Sequence, residues 1–271
     1  MKICIVSRID LKEPIEMAQS LGWMLRDKGH EVVYEKSVAA ELGYAPVSLS
    51  ENFTADLVVV LGGDGSVLRA IRLMNTQVPV VGINQGQVGF LTDIDPENAG
   101  EILNTLSLPL PVDPRMRISI EYNGKSVGSA LNEAVIVTSR PAKILKFIIF
   151  VNGTHIDEFR ADGLIVGTPT GSTAYSMSAG GPIVDSTIEA MLLVPLAPYM
   201  LSSRPYLINS ESVVEIRLVS AKPAFLVIDG QDQYEIGENA HLIIRKSKEP
   251  ALFVDVGKGF FQKVEQKLRL L

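Results

Sequence analysis

Three prolines within six positions, Pro109, Pro111 and Pro114, constrain this 271-residue chain more than any other feature. Proline fixes φ and has no backbone N–H, so the run Leu108-Pro109-Leu110-Pro111-Val112-Asp113-Pro114 belongs to neither a helix interior nor a central strand. The length suits two ordinary domains. The expected division is therefore an N-terminal domain over residues 1–108, a second over 109–257, and a tail over 258–271.

Before the prolines, short apolar runs alternate with helical patterns, the signature of βαβ units in a doubly wound α/β domain. Residues 3–6, 31–34, 57–61 and 78–83 read as strands. Residues 14–28, 66–74 and 96–106 read as helices, the first carrying Ile15, Ala18, Leu21 and Leu25 at helical spacing before Gly29. Residues 37–54 have no clear period and read as loop with some short helix. Beyond the prolines come short runs at 117–122, 134–138, 145–151, 213–219, 225–228, 241–245 and 252–256. Asn123-Gly124 and Asn152-Gly153 lie between such runs and signal two-residue hairpins. A β-rich, sandwich-like second domain is expected. The tail has Phe261, Val264 and Leu268 at helical spacing and is expected to pack back on the first domain.

Composition narrows function mainly by exclusion. With 25 basic and 31 acidic side chains the net charge is −6, so no global field favours nucleic acid or an anionic membrane. The single cysteine, Cys4, sits in an apolar run and reads as core filler; one thiol permits neither an internal disulfide nor a cysteine zinc site. His30, His155 and His241 are scattered and read as structural. There is no signal-peptide pattern and no bilayer-length apolar stretch, which makes the cytoplasm the expected compartment.

Four motifs carry chemistry. Leu61-Gly62-Gly63-Asp64-Gly65-Ser66 joins a strand to a helix, where glycines admit a phosphate and the helix N-terminus offers free N–H donors. A carboxylate there would repel that phosphate, so Asp64 reads as a proton acceptor or metal contact, with a helix cap as the plainer alternative. Gly82-Ile83-Asn84-Gln85-Gly86-Gln87-Val88-Gly89-Phe90-Leu91 repeats the logic after the next strand, and two loops at neighbouring strand ends form a crevice. Asn132-Glu133 offers an amide and a carboxylate suited to an adenine edge or a ribose diol. Adjacent residues on a strand point to opposite faces, so these two converge only where the backbone is irregular. The longest motif, Arg160-Ala161-Asp162-Gly163 through Thr168-Pro169-Thr170-Gly171-Ser172-Thr173-Ala174-Tyr175-Ser176-Met177-Ser178 to Pro182, crowds small hydroxyls and one aromatic around a strand end, which suits a flat polar ligand.

Taken in order, and with Asp229-Gly230-Gln231, these motifs resemble those of the NAD kinase family over about residues 57 to 245. The run from Thr168 to Tyr175 is specific to that family, whereas Gly-Gly-Asp-Gly is shared with phosphofructokinases and with diacylglycerol and sphingosine kinases. The resemblance implies an α/β domain, a β-rich domain, NAD held between them, and a homodimer or homotetramer. It implies phosphorylation of the adenosine-ribose 2′-hydroxyl of NAD from ATP or polyphosphate, with magnesium or another divalent cation whose ligands are unassigned. By the same resemblance Asp64 is the general base with Gly65 close by, and Gly62, Gly63, Asn84 and Gly86 face phosphates. Gly65, Phe90, Asn132, Glu133, Arg160, Asp162, Thr173, Ala174, Tyr175, Ser178 and Gln231 contact NAD, with Asp162 and Arg160 toward the nicotinamide. Family members with arginine at the place of Arg160 favour NAD over NADH, so Arg160→Gly is expected to raise NADH use. A silent NAD-binding sensor, or a lipid or sugar kinase of the same superfamily, are the alternatives.

Overall fold

A computed structural model describes residues 1–50, 52–85, 89–140, 143–200, 202–219, 222–237 and 239–268. The chain forms two compact units, Met1–Pro114 joined by Ala251–Leu271, and Arg115–Pro250.

The first unit begins β1 (Lys2–Ser7), α1 (Lys12–Asp27), β2 (Glu31–Glu35), α2 (Lys36–Leu42), β3 (Pro46–Val47), β4 (Leu57–Gly62), α3 (Asp64–Leu73), β5 (Val80–Asn84), α4 (Ala99–Thr105) and β6 (Val112–Arg115). Its sheet runs β3-β2-β1-β4-β5, extended by a late strand and then by β6. The strands from β3 to β5 are parallel. β1 and β4 are apolar and buried almost throughout, as strands covered on both faces must be. Strand order turns back between β1 and β4, so the chain leaves their carboxyl ends in opposite directions and opens a crevice there. The proline run proves compatible with a strand, but only at the sheet's edge, where β6 lies and missing N–H donors do least harm. The boundary accordingly falls at Pro114, six residues later than the prolines suggest.

The second unit is entirely antiparallel apart from short helical turns. It comprises β7 (Ile118–Tyr122), β8 (Lys125–Ala130), β9 (Glu133–Thr138), β10 (Leu145–Val151), β11 (Thr154–Ala161), β12 (Gly163–Gly167), α5 (Tyr175–Ser178), β13 (Ala190–Leu196), β14 (Tyr206–Asn209), β15 (Val214–Leu218), β16 (Ala224–Ile228), β17 (Asp232–Ile236) and β18 (His241–Lys246). Two six-stranded sheets result, β11-β10-β15-β18-β7-β8 and β14-β13-β12-β9-β16-β17. Their facing side chains share one core, Ile118, Phe147 and Ile216 from one sheet meeting Ile136, Leu164 and Leu226 from the other. This is a β-sandwich. Both hairpin signals fold as type I′ turns, with φ of 47° and 77° at Asn123-Gly124 and 51° and 78° at Asn152-Gly153.

The chain then returns. β19 (Ala251–Val254), expected in the second domain, instead pairs in parallel beside β5 in the first unit, and α6 (Phe260–Leu268) follows it there. An isolated apolar run does not announce which sheet it will join, and this one buries Phe253 and Val254 in the first. Among the described residues no helix is long and apolar enough to cross a membrane.

Candidate active site

In the first unit, β4 delivers Gly62 at the crevice and α3 starts at Asp64. Asp64 does not cap its helix; the N-cap is Gly63, which makes no side-chain bond. Both Asp64 oxygens reach across to the neighbouring loop instead, accepting the N–H of Phe90 at 2.7 Å and of Leu91 at 2.9 Å. Gly89 is required by this approach, since a Cβ there would stand 2.7 Å from Asp64 Oδ1 and collide with Thr92 Oγ1. Gly63 and Gly65 differ: their φ values do not call for glycine, and a Cβ at either meets no described atom within 4 Å. The fold has room for side chains at both, so glycine there keeps space clear beside Asp64. Asn84 lies opposite Gly62 in the sheet, and Gln85 donates its N–H to the Gly62 carbonyl. Gly86 lies outside the described residues.

Burial raises the Asp64 carboxyl above the usual carboxylate range; the Leu91 and Phe90 amides and Lys267 pull it back, and Asp93 pushes it further up. Lys267 comes from α6, which the apolar spacing of Phe261, Val264 and Leu268 had oriented wrongly. Phe261 is 65% exposed, whereas Lys263 is buried and bonds Asp93 Oδ2 at 2.6 Å. Lys267 Nζ lies 5.3 Å from the centre of the Phe90 ring. Lysines four apart on one helix face leave no mark on a hydropathy pattern, so sequence reasoning passed over Asp93, Lys263 and Lys267 together.

The second unit resolves the Asn132-Glu133 puzzle through a residue whose role the sequence left open. Asp229-Gly230 forms another type I′ turn, with φ of 49° and 65°, between β16 and β17. From it the buried Asp229 carboxylate accepts the N–H of Leu131, Asn132 and Glu133 at 2.8, 2.8 and 3.1 Å. Three donors from consecutive residues converge on one carboxylate only if the backbone bends, and this bend precedes β9. The Leu131 and Asn132 carbonyls are taken by Thr168, through its hydroxyl at 2.5 Å and its N–H at 2.9 Å. Gly171 packs so close to Asn132 that a Cβ would strike its backbone. Burial and then Asp229 raise the Glu133 carboxyl to about 8, against the opposing N–H of Tyr175.

Four buried polar atoms cluster here without a hydrogen-bond partner among the described residues: Asn132 Oδ1, Glu133 Oε2, Thr170 Oγ1 and Ser176 Oγ. Unpaired buried acceptors are costly, and their concentration at one loop marks a place where a ligand supplies the missing partners. Beside them opens a cleft of about 500 Å³ lined by Asp162, Tyr175 and Ser178, with Val137, Thr138 and Leu196. Tyr175 is 47% exposed and free to offer its ring. Thr173 is buried, its hydroxyl donating to the Thr170 carbonyl at 3.3 Å, and Ala174 follows it toward α5. Gln231 stands at the end of the Asp229 turn, its N–H on the Ile228 carbonyl. Arg160 is not in this cleft. It is exposed on β11 and lines a separate depression with Lys146, Glu158, Tyr199 and Met200.

Family models match both units: the ATP-NAD kinase N-terminal domain over residues 3–108 and the ATP-NAD kinase C-terminal domain over residues 131–256. The chain is 85% identical to the NAD kinase of Methanocorpusculum labreanum and 54% identical to that of Methanoculleus marisnigri, in each case over 100% of both chains. Among solved structures it resembles an NAD kinase from Archaeoglobus fulgidus in complex with ATP, with a TM-score of 0.85, 30% identity and 100% of each chain covered. Its fold also matches yeast NADH kinase complexed with NADH, with a TM-score of 0.89 over 99% of this chain and 87% of the other, at 24% identity.

Proposed function

The chain belongs to the NAD kinase family, and from that premise we propose that it transfers the γ-phosphoryl group of ATP to the adenosine-ribose 2′-hydroxyl of NAD, giving NADP and ADP. The complex of its Archaeoglobus fulgidus relative with ATP supports that donor, and polyphosphate is the alternative. The observation that carries the reading is Asp64, a carboxylate at the switch point of a parallel sheet, pinned by two loop amides and flanked by glycines that keep space open.

The ribose oxygen attacks phosphorus while the bond from phosphorus to the β–γ bridging oxygen breaks, and the hydroxyl proton passes to Asp64. A carboxylate has about four lone-pair sites, and the Phe90 and Leu91 amides occupy two, so acceptor capacity remains for the hydroxyl. Gly62, Gly63, Asn84 and Gly86 are assigned to the phosphate side. Gly65, Phe90, Asn132, Glu133, Asp162, Thr173, Ala174, Tyr175, Ser178 and Gln231 are assigned to NAD. Near pH 7 a Glu133 carboxyl raised to about 8 carries a proton, so it offers the neutral adenosine both a donor and an acceptor.

Magnesium fits this donor set. Among the described residues no three metal-type side chains form a cage, and magnesium characteristically takes one or two carboxylates and completes its shell with nucleotide phosphates and water. Asp64 is the hard oxygen ligand available, and the bound ion would neutralise charge on the transferring phosphoryl group. A homodimer or homotetramer is the expected assembly, supported by the exposed apolar side chains of Tyr199, Met200 and Leu207 near the edge strand β14. The cytoplasm is the compartment this reading assigns.

Incubating the purified protein with NAD, magnesium and either ATP or polyphosphate tests the proposal. NADP formation is expected with ATP. Binding of NAD without NADP from either donor would establish the sensor alternative.

A further inference from the structure

The chain leaving β1 meets the glycine loop after β4 at the point where strand order reverses. Arg8 stands there: its N–H donates to the Leu61 carbonyl at 3.0 Å, and its Cβ lies 3.9 Å from where a side chain at Gly62 would begin. A Cβ at Gly62 would also strike Ser66 Oγ, from the first turn of α3, so Arg8 and Ser66 flank the same glycine. At Gly63, the next residue, a Cβ would meet no described atom within 4 Å. Loops at a switch point hold the ligand of an open parallel sheet, yet this one carries Asp64, whose charge repels a phosphate. A cation on the protein's side offsets that repulsion. We propose that Arg8 binds the phosphates of the nucleotide donor across Gly62 and Gly63, and that Asp10 competes with them for its guanidinium. The proposal rests on the reading of the chain as an ATP-dependent kinase.

The partner that Arg8 holds shows what its fork accepts. Nε donates to Asp10 Oδ1 at 2.7 Å and Nη2 to Asp10 Oδ2 at 2.5 Å, two parallel bonds to the two oxygens of one anion. A guanidinium takes phosphate in the same bidentate geometry. The Arg8 and Asp10 side chains are 33% and 62% exposed, so their pair lies in water, where such a bond is weak and readily exchanged. A triphosphate, carrying several charges where Asp10 carries one, displaces it. An ion pair that merely stiffened the loop would make Arg8 and Asp10 equals, with the same loss from removing either. Competition makes them opposites: removing Arg8 weakens donor binding, and removing the Asp10 charge strengthens it.

The test measures KM for ATP and for NAD, and the affinity for ATP with magnesium by calorimetric titration, in full-length wild type, Arg8→Ala, Arg8→Lys and Asp10→Asn. Arg8→Ala should raise KM for ATP and weaken ATP binding by about ten-fold or more, the order for a lost bidentate bond between charged groups. KM for NAD should stay within about two-fold, and kcat at saturating ATP within a few-fold, because the contact holds the donor in ground state and transition state alike. Asp10→Asn should tighten ATP binding by up to about five-fold, the most that freeing an exposed pair releases. Arg8→Lys should fall between wild type and Arg8→Ala, keeping the charge and losing the fork. Unchanged ATP affinity in Arg8→Ala, or a change in the same direction in Arg8→Ala and Asp10→Asn, overturns the proposal and leaves the pair as a loop brace. A rise in KM for NAD with that for ATP unmoved also overturns it, by placing the dinucleotide's pyrophosphate on Arg8. Titration needs no turnover, so the two readings fail separately. Wild type that binds ATP with these opposite responses yet forms no NADP refutes the kinase reading alone, whereas NADP formation with unmoved ATP affinity in the variants refutes only the role of Arg8.

Discussion

The two loop clusters, residues 62–65 with 89–93 in the first unit and residues 131–133 with 168–178 in the second, hold buried carboxylates differently. Burial raises the Asp64 carboxyl, but both its oxygens are bonded to loop amides and Lys267 faces it, contacts that oppose the rise and support the charged form. Glu133 has one oxygen unpartnered and a second carboxylate, Asp229, close by, an arrangement that favours the neutral form. A charged, fixed carboxylate suits proton acceptance; a neutral one with open hydrogen-bonding capacity suits recognition of an uncharged base or sugar. The contrast separates chemistry from binding.

The largest expected effect breaks the first half of that comparison. Asp64→Asn should lower kcat by about 10² to 10⁴, the usual contribution of a positioned base, while NAD affinity stays within a few-fold. Asparagine also turns an NH₂ group toward one of the two loop amides, so Asp64→Asn loosens residues 89–91 as well as removing the base. Retention of more than about a tenth of wild-type kcat by the variant would identify the loop clamp, not proton transfer, as the role of Asp64.

The second prediction tests the frame of the other cluster. Asp229→Ala strands three N–H donors at once, and at about 1 kcal/mol or more for each stranded donor the second unit should lose roughly 3 kcal/mol of stability. NAD binding should weaken with it, because Asn132 and Glu133 lose the bend that brings them together. Denaturant unfolding followed beside NAD titration measures both. Normal affinity in a folded Asp229→Ala protein would show that the bend is dispensable.

How much of this was legible beforehand differs between the same two clusters. Gly62 to Gly65 follow a buried strand and precede an amphipathic helix, so their place was readable from local pattern alone. The Asp229 clamp was not, because it joins positions 97 apart and an Asp-Gly pair between strands looks like an ordinary hairpin turn. β13 was missed for a related reason: Pro195 interrupts a run whose burial on both faces had already removed the alternation that marks a strand. The tail was read as a helix correctly but rotated wrongly, since apolar spacing says nothing of a helix whose buried face carries lysine.

A smaller effect sharpens the neutral half of the comparison. Glu133→Ala and Tyr175→Ala should each weaken NAD binding by roughly 1–3 kcal/mol, as for a buried ligand group left without its hydrogen-bond partner or a lost stacking face. The raised Glu133 pKa adds a pH signature. Between the ordinary carboxyl value of 4.5 and about 8 the folded protein holds a proton that the unfolded chain releases, so Glu133 makes stability fall as pH rises through that window. Glu133→Gln should remove this slope and leave a protein more stable than wild type at pH 8 yet close to it at pH 4.5. Parallel stability curves for the two proteins would mean that Glu133 is ionised throughout, and the contrast with Asp64 would collapse.

The smallest expected effect concerns Arg160, which the motif order had put beside Asp162 near the nicotinamide. The two are only two positions apart, but Arg160 lies on exposed β11 with Lys146 and Tyr199, while Asp162 lines the cleft with Tyr175 and Ser178. From an exposed site its guanidinium acts on a ligand in that cleft through solvent, where a unit charge a few ångströms away contributes on the order of 1 kcal/mol and salt reduces it further. Electrostatics then gives only a mild bias against the cationic oxidised ring, and Arg160 lies outside the lining of that cleft, so it adds no bulk there against the puckered reduced ring. Arg160→Gly should therefore change the ratio of kcat/KM for NAD to that for NADH by no more than about five-fold, with any change favouring NAD and shrinking as salt is added. Measuring both acceptors at low and high salt decides it. A large rise in NADH use in the glycine variant, unaffected by salt, would mean that the side chain reaches the ligand sterically and that the two clefts of the second unit act as one.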